Sequence, residues 1–108
     1  MKLVICIIQD EDAPSLLADL MEKKYRTTKL STTGGFLRSG NTTLLIGIDE
    51  DHLDDVLRLI DENGKTREIT TSMIPMSLPG DGYVPYPIDV KIGGATVFVV
   101  DVEGFYRF

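Results

Sequence analysis

One segment of the chain carries the residue types that recognise anions. Arg26 to Asn41 reads RTTKLSTTGGFLRSGN and holds three cations, several hydroxyls, three glycines and no acid. The whole chain has 11 Lys and Arg against 17 Asp and Glu, a net charge of -6, so this stretch is a local reversal of sign. Arg26, Lys29 and Arg38 can complement phosphate charge, and Thr28, Ser31 and Asn41 can hydrogen-bond phosphate oxygens. Gly34, Gly35 and Gly40 let the backbone approach closely and turn its N–H groups toward an anion. Phe36 and Leu37 stand at the loop tip, where a base can stack. The competing reading is a plain turn between strands with a solvated basic rim, because a glycine-rich loop alone is a weak signal. It is not a Walker loop, since the segment itself holds no Gly-Lys-Ser or Gly-Lys-Thr and no helix follows it directly.

The catalytic inventory is thin. His52 is the single histidine and stands beside Asp49, Glu50 and Asp51 at a helix start, where a solvated role explains it. No second histidine or nearby cysteine offers a metal or nucleophile constellation. Cys6 lies inside an apolar run and reads as a small core residue. The acidic runs Asp10-Glu11-Asp12 and Asp49-Glu50-Asp51 both open helices, where capping and the helix dipole account for them. A carboxylate-pair hydrolase would need the two runs to share a cleft, and nothing places them together. The reading is therefore a binding protein, not an enzyme, with no catalytic residue and no metal or cofactor.

The elements that position these residues follow from periodicity. Lys2 to Gln9 (KLVICIIQ) reads as a central strand or one buried on both faces. A helix follows, with Pro14 in its first turn, a stripe of Leu16, Leu17, Leu20 and Met21, and Glu22-Lys23-Lys24 closing it. Tyr25 to Ser31 alternates as a strand, with Tyr25, Thr27 and Lys29 on one face and Arg26, Thr28 and Leu30 on the other. The loop Thr33 to Asn41 leads to a third strand, Thr42 to Ile48, with Gly47 inside it. Asp49 to Asp51 cap a second helix with an apolar stripe of Leu53, Val56, Leu57 and Ile60, ended by Asn63-Gly64. Arg67 to Met73 is another strand. Met73 to Pro87 holds four of the five prolines and reads as a long loop. Ile88 to Ile92, Gly93-Gly94 and Ala95 to Val102 read as a hairpin with a two-glycine turn. Glu103 to Phe108 is an aromatic tail.

The order is β-α-β-β-α-β with extra strands after the second helix, an α+β, ferredoxin-like order in which two helices cover one sheet face. With no third helix for the other face, packing sheet against sheet in an oligomer is the economical solution. The 108 residues suit one domain, residues 1–108, and 43% hydrophobic content suits a packed core. The acidic balance disfavours a nucleic-acid polymer as partner. A single cysteine gives no support to an oxidising compartment, and no apolar run is long enough for membrane insertion. No small-residue cleavage pattern follows the first strand, so no signal peptide is expected and the localisation read is cytoplasmic.

Thr27 to Thr43, TTKLSTTGGFLRSGNTT, resembles the hallmark of the cyclic-di-AMP receptor proteins, the PII-like signal transducers. The opening VICIIQDED, Val84-Pro85-Tyr86-Pro87 and Gly93-Gly94-Ala95-Thr96-Val97-Phe98-Val99 are similar to that family as well. The resemblance covers essentially the whole chain. It implies a ferredoxin-like homotrimer with three nucleotide sites at subunit interfaces and an unidentified downstream protein partner. It also implies a short loop between the second and third strands and a long later loop. On this pattern Arg26, Thr28 and Asn41 lie near phosphates and ribose, and backbone groups of Gly35 and Phe36 add donors. Leu37 and Phe98 wall an adenine, and Gly47 lets the base approach the strand. Without the resemblance, Phe98 reads as a core aromatic and Gly47 as a bulge or packing glycine. The functions open at this point are a non-enzymatic cyclic-di-AMP sensor, a classical PII-like ATP sensor and a small nucleotide-processing enzyme.

Overall fold

Lys2–Gln9 forms β1, and its burial alternates: Val4, Cys6 and Ile8 are fully buried, while Leu3, Ile5 and Ile7 are only partly so. The alternation arises because successive strand residues face opposite sides of a sheet. β1 is central, pairing antiparallel with β3 (Asn41–Ile48) on one side and with β6 (Ala95–Asp101) on the other. β2 (Thr27–Leu30) adds to the free edge of β3, giving the order β2-β3-β1-β6. The computed structural model describes residues 1–30, 40–73 and 86–108, and of 70–73 and 86–88 the backbone only. The expectations for Gly35, Phe36, Leu37 and most of the Pro-rich stretch fall outside the described residues; Tyr86 and Pro87, at its end, belong to a strand.

Two helices cover one face of this sheet. α1 (Ala13–Glu22) buries Ala13, Leu16 and Leu20, and α2 (Leu53–Gly64) buries Val56, Leu59 and Ile60. They meet Val4, Cys6 and Ile8 of β1 and Leu44, Ile46 and Ile48 of β3 in one core. Met21 leaves the expected stripe and is 71% exposed. At about 100° per residue it sits on the rim of the arc centred on Ala13, Leu16, Leu17 and Leu20. The fold is thus α+β, with the last ferredoxin-like strand position taken by β6.

The acidic runs do not cap as expected. Asp12 is the N-cap of α1, yet its carboxylate makes no cap hydrogen bond. It accepts from Arg67 Nη2 at 2.7 Å and Nη1 at 3.4 Å instead. Asp49 precedes a short 3-10 turn, Glu50–His52, that runs into α2, also without a side-chain cap bond. Gly64, expected just beyond the second helix, is its last residue and is buried against Ile8.

The expected two-glycine hairpin is corrected by the pairing. β5 (Tyr86–Ile92) pairs with β4 (Arg67–Met73) in a separate two-stranded ribbon, while β6 pairs with β1. Gly93 and Gly94 do adopt positive φ, 80° and 97°, but they turn the chain from one sheet into the other. A β6 that completed a hairpin with β5 would leave the edge of β1 unpaired and Val97 off the core. The ribbon's base is tied to the main sheet by the Arg67–Asp12 pair, by Gly93 N–H donating to Gln9 Oε1 at 2.9 Å, and by Gly94 N–H donating to the Gly64 carbonyl.

A Cβ on Gly64 would stand 2.6 Å from Ile8 Cδ1, a side chain only 1% exposed. Overpacking such a site costs roughly 1–3 kcal/mol. The helix-propensity gain is at most about 1 kcal/mol. Gly64→Ala is therefore expected to lower the unfolding free energy by about 1–2 kcal/mol, read from a urea titration. An unchanged or raised midpoint would mean that Ile8 rotates away without cost.

Candidate ligand-binding face

Because the even-numbered residues of β1 and β3 fill the core, the odd-numbered ones face away from the helices. Register partners in an antiparallel pair share a face. Thr28 stands opposite Leu45, Leu45 opposite Ile5, and Ile5 opposite Phe98, so these four form one row across the open face. Gly47, Leu3 and Val100 form the next row toward the Lys2 end of β1. Leu30, Thr43, Ile7 and Thr96 form the row on the other side, with Asn41 and Gln9 beyond. Thr28, Asn41, Gly47 and Phe98 thus lie on one sheet face. Lys29 pairs with Leu44 and belongs to the opposite face.

Arg26 precedes β2, and the register continued by one residue brings it level with Gly47. The two line one cavity of about 540 Å³ together with Lys24, Tyr25, His52 and Asp55. Asn41 is not part of it: it stands six positions from Gly47 along β3, about 20 Å along a strand. Phe98 lies three strand spacings from Thr28, about 14 Å. The described site residues stand on this face or at its corner without forming one contact cluster among themselves.

Both alternatives weighed for Phe98 and Gly47 fail on the geometry. Phe98 is 53% exposed and is not a core aromatic of this chain. Gly47 is no bulge, since the ladder runs through it from Lys2↔Ile48 to Val4↔Ile46 without a break. It is no packing glycine either, because an added Cβ meets nothing within 4 Å. Among the described residues nothing packs on its bare backbone, which leaves it open to approach.

The other chemical groups are quiet. Cys6 is fully buried on the helix side, and burial pushes its thiol up to about 11, away from thiolate chemistry. The His52 ring rests against Tyr25, centroids 5.7 Å apart. Asp10 lies at the end of β1 where its carboxylate accepts from Thr42 Oγ1 at 2.6 Å, whereas Asp49 follows Ile48, level with Lys2 at the other end. The two acidic runs therefore share no cleft. Among the described residues no group of three or more His, Cys, Asp or Glu is placed to hold a metal.

Two features escape sequence reasoning. Asp55 on α2 accepts from Tyr25 Oη at 2.6 Å, from Arg58 Nη2 at 2.6 Å and from Lys23 Nζ at 3.1 Å. These three donors, Tyr25 first, hold its carboxyl well below the usual carboxylate range, and the same bond raises Tyr25. The i,i+3 spacing to Arg58 is legible in the sequence, but the link to Tyr25, 30 residues away, is not. Thr43 is 6% exposed on the open-face side, and its hydroxyl has no hydrogen-bond partner among the described residues.

The cyclic-di-AMP receptor family matches residues 1–108, the whole length of the chain. The chain belongs to the cyclic-di-AMP receptor family. The crystal structure of a functionally unknown protein from Pediococcus pentosaceus ATCC 25745 is similar to this receptor, with a TM-score of 0.76 and 48% identity over 99% of this chain and 96% of that one. Membership makes binding of cyclic-di-AMP the receptor's family function, and among the described residues no helix is long and apolar enough to cross a membrane.

The Asp55 cluster gives this receptor a defined response to acid. The folded-state pKa of Asp55 lies below its unfolded value of about 3.9. Its stabilisation is therefore fully present above about pH 5 and is lost as pH falls through the folded value. Asp55→Asn is expected to lower stability at neutral pH and to flatten the acid limb below about pH 4 in urea titrations run from pH 7 to 2. Parallel limbs for the two proteins would refute the depressed carboxyl.

Proposed function

We propose that this protein is a non-enzymatic receptor that binds cyclic-di-AMP at the subunit interfaces of a homotrimer, in the cytoplasm, as one PII-like domain without a cofactor. The carrying observation is the open sheet face. Its centre is apolar and partly bare, with Ile5, Leu45, Phe98 and Val100, and its polar ligand-type residues stand at opposite ends. Asn41 and the Arg26–Gly47 corner are too far apart for one small contact cluster. Copies that pack these faces together bring the Asn41 end of one near the Arg26 end of another and cover the exposed apolar side chains. Gly35, Phe36 and Leu37 complete the site in this reading, as the resemblance assigns.

In the proposed site, Arg26 pairs with a phosphate, Thr28 and Asn41 hydrogen-bond phosphate or ribose oxygens, and Phe98 and Leu37 bracket an adenine against the backbone of Gly47. Nothing in the described residues supplies a nucleophile with its base, which favours binding without turnover. Signalling then follows from ordering of the loops on binding, and a protein partner reads the ordered surface. Gln9 supports such a route: it pairs with Asn41, and its side chain holds Gly93 at the base of the ribbon.

Calorimetry with cyclic-di-AMP, ATP with magnesium, and cyclic-di-GMP tests the reading. Cyclic-di-AMP is expected to bind selectively to a particle that light scattering sizes as a trimer, with no linear dinucleotide or AMP formed on long incubation. Tighter binding of ATP would favour a classical PII-like sensor, and product formation would favour an enzyme.

The strand facing sets a sharper test. Arg26→Ala is expected to weaken binding about tenfold to a hundredfold, the size of a lost charge-assisted hydrogen bond. Lys29→Ala, on the far face, is expected to cost well under that. Equal losses on intact trimers would remove Arg26 from the phosphate.

A further inference from the structure

Arg26 sits on a turn that makes no sheet ladder. α1 ends at Glu22 and β2 begins at Thr27, so Lys23 to Arg26 must be held by other means. The turn closes with Tyr25 N–H donating to the Leu20 carbonyl at 2.9 Å and Lys24 N–H to the Met21 carbonyl at 3.0 Å. Those two bonds form a Schellman-type stop, which needs a left-handed residue. That residue is Lys24, at φ 62°, where glycine is the ordinary choice. The conformation is unfavourable for lysine, and contacts on both sides of it must offset the cost.

Those contacts converge on one carboxylate. Lys23, just before the left-handed residue, donates to both oxygens of Asp55 at 3.1 Å. Tyr25, just after it, donates its hydroxyl to Asp55 Oδ2 at 2.6 Å. Arg58, one turn along α2, holds Asp55 Oδ1 at 2.6 Å and is itself held by Glu62 at 2.7 Å. Strand alternation then turns the next residue, Arg26, away from Tyr25 and toward Gly47, at the edge of the cavity that Lys23, Tyr25 and Asp55 also line. The cations on either side of Lys24 thus differ in state: Lys23 is spent on Asp55, and Arg26 has no ion-pair partner among the described residues.

We propose that Asp55 is a positioning residue of the ligand site: by tethering Lys23 and Tyr25 to α2 it holds the left-handed turn and so pre-orients Arg26 for an anionic phosphate. This rests on the reading of Arg26 as a phosphate contact. Pre-orientation matters because a guanidinium held in place loses less conformational freedom when it binds. The specificity is for a ligand that presents a phosphate diester at the Arg26 corner. Asp55 touches no ligand itself.

A double-mutant cycle on the full-length protein tests this, with cyclic-di-AMP as titrant at neutral pH. Asp55→Asn keeps the shape and removes the charge; it is expected to weaken binding about fivefold to twentyfold, the scale of coupling between neighbouring groups. In an Arg26→Ala background the same change is expected to cost less than about twofold, since there is no guanidinium left to orient. In an Asn41→Ala background, at the far end of β3, the full loss is expected to return. Equal losses in all three backgrounds would mean that Asp55 acts through general stability, and would overturn the proposal. Tyr25→Phe, which deletes one hydroxyl, is expected to reproduce part of the Asp55→Asn loss.

Amide hydrogen exchange without ligand supplies an independent arm. Asp55→Asn is expected to speed exchange at Lys24 and Tyr25, whose amides close the turn, and to leave β1 unchanged. Unchanged exchange at the turn would overturn the proposal whatever the affinities. If the unmodified protein bound no cyclic-di-AMP, the receptor reading of the site would fall, and the exchange arm would still decide whether Asp55 holds the turn.

Discussion

The register of β1 between its two antiparallel neighbours is the constraint on which the rest depends. Strand residues alternate with period two, so this one pairing sorts three strands at once. Val4, Cys6 and Ile8 face the helices, and Leu44 and Ile46 of β3 follow them there. The same pairing sends Ile5, Leu45, Gly47 and Phe98 to the open face. A slip by one residue would exchange the two sets. It would bury the bare backbone of Gly47 and place Leu44 and Ile46 in solvent. The core and the ligand face are therefore specified by one physical fact.

That sorting explains how much was legible beforehand. The continuous apolar run in KLVICIIQ and the helical stripes give the central strand and the helices that pack on it, and the alternation of Tyr25 to Ser31 gives the facing of Thr28 and Lys29. The two-glycine turn misled because positive φ at Gly93 and Gly94 is required equally by a tight hairpin and by a crossing between sheets. Only the competition for the free edge of β1 separates the two, and that competition is non-local. The acidic runs misled for a related reason. Asp12 has a cap's position, but Arg67, 55 residues on, offers a charged donor that the helix amides cannot match.

The candidate site was legible in kind rather than in place. Residue chemistry alone picks out the basic, glycine-rich stretch, and the family resemblance adds Gly47 and Phe98 from other strands. Neither could supply Asp55, because its partners Lys23 and Tyr25 are 32 and 30 residues away and look like ordinary helix-end and strand residues. Long-range hydrogen bonds between polar side chains leave no periodic signal. A chain of net charge -6 still gathers Lys23, Lys24 and Arg26 around one cavity, beside Asp49 and Asp55. Asp55 is engaged by three donors and Asp12 by Arg67, so the charge beside Arg26 is not simply the sum of the chain.

The open face also sets what kind of molecule this is. A monomer that leaves Phe98 and Val100 at 53% and 44% exposure on this face carries an apolar surface beyond scattered single residues. Here the single thiol is on the other side of the sheet, buried, with its pKa raised to about 11. What the face offers, among the described residues, is an apolar centre, a bare backbone at Gly47 and a guanidinium without an ion-pair partner at its corner. Apolar area favours stacking and association, and a fixed cation at the rim favours one charge over another. In the proposed reading, recognition rests on this arrangement, and the free energy of a bound anion biases the segments that join Asn41, Gln9 and the base of the ribbon.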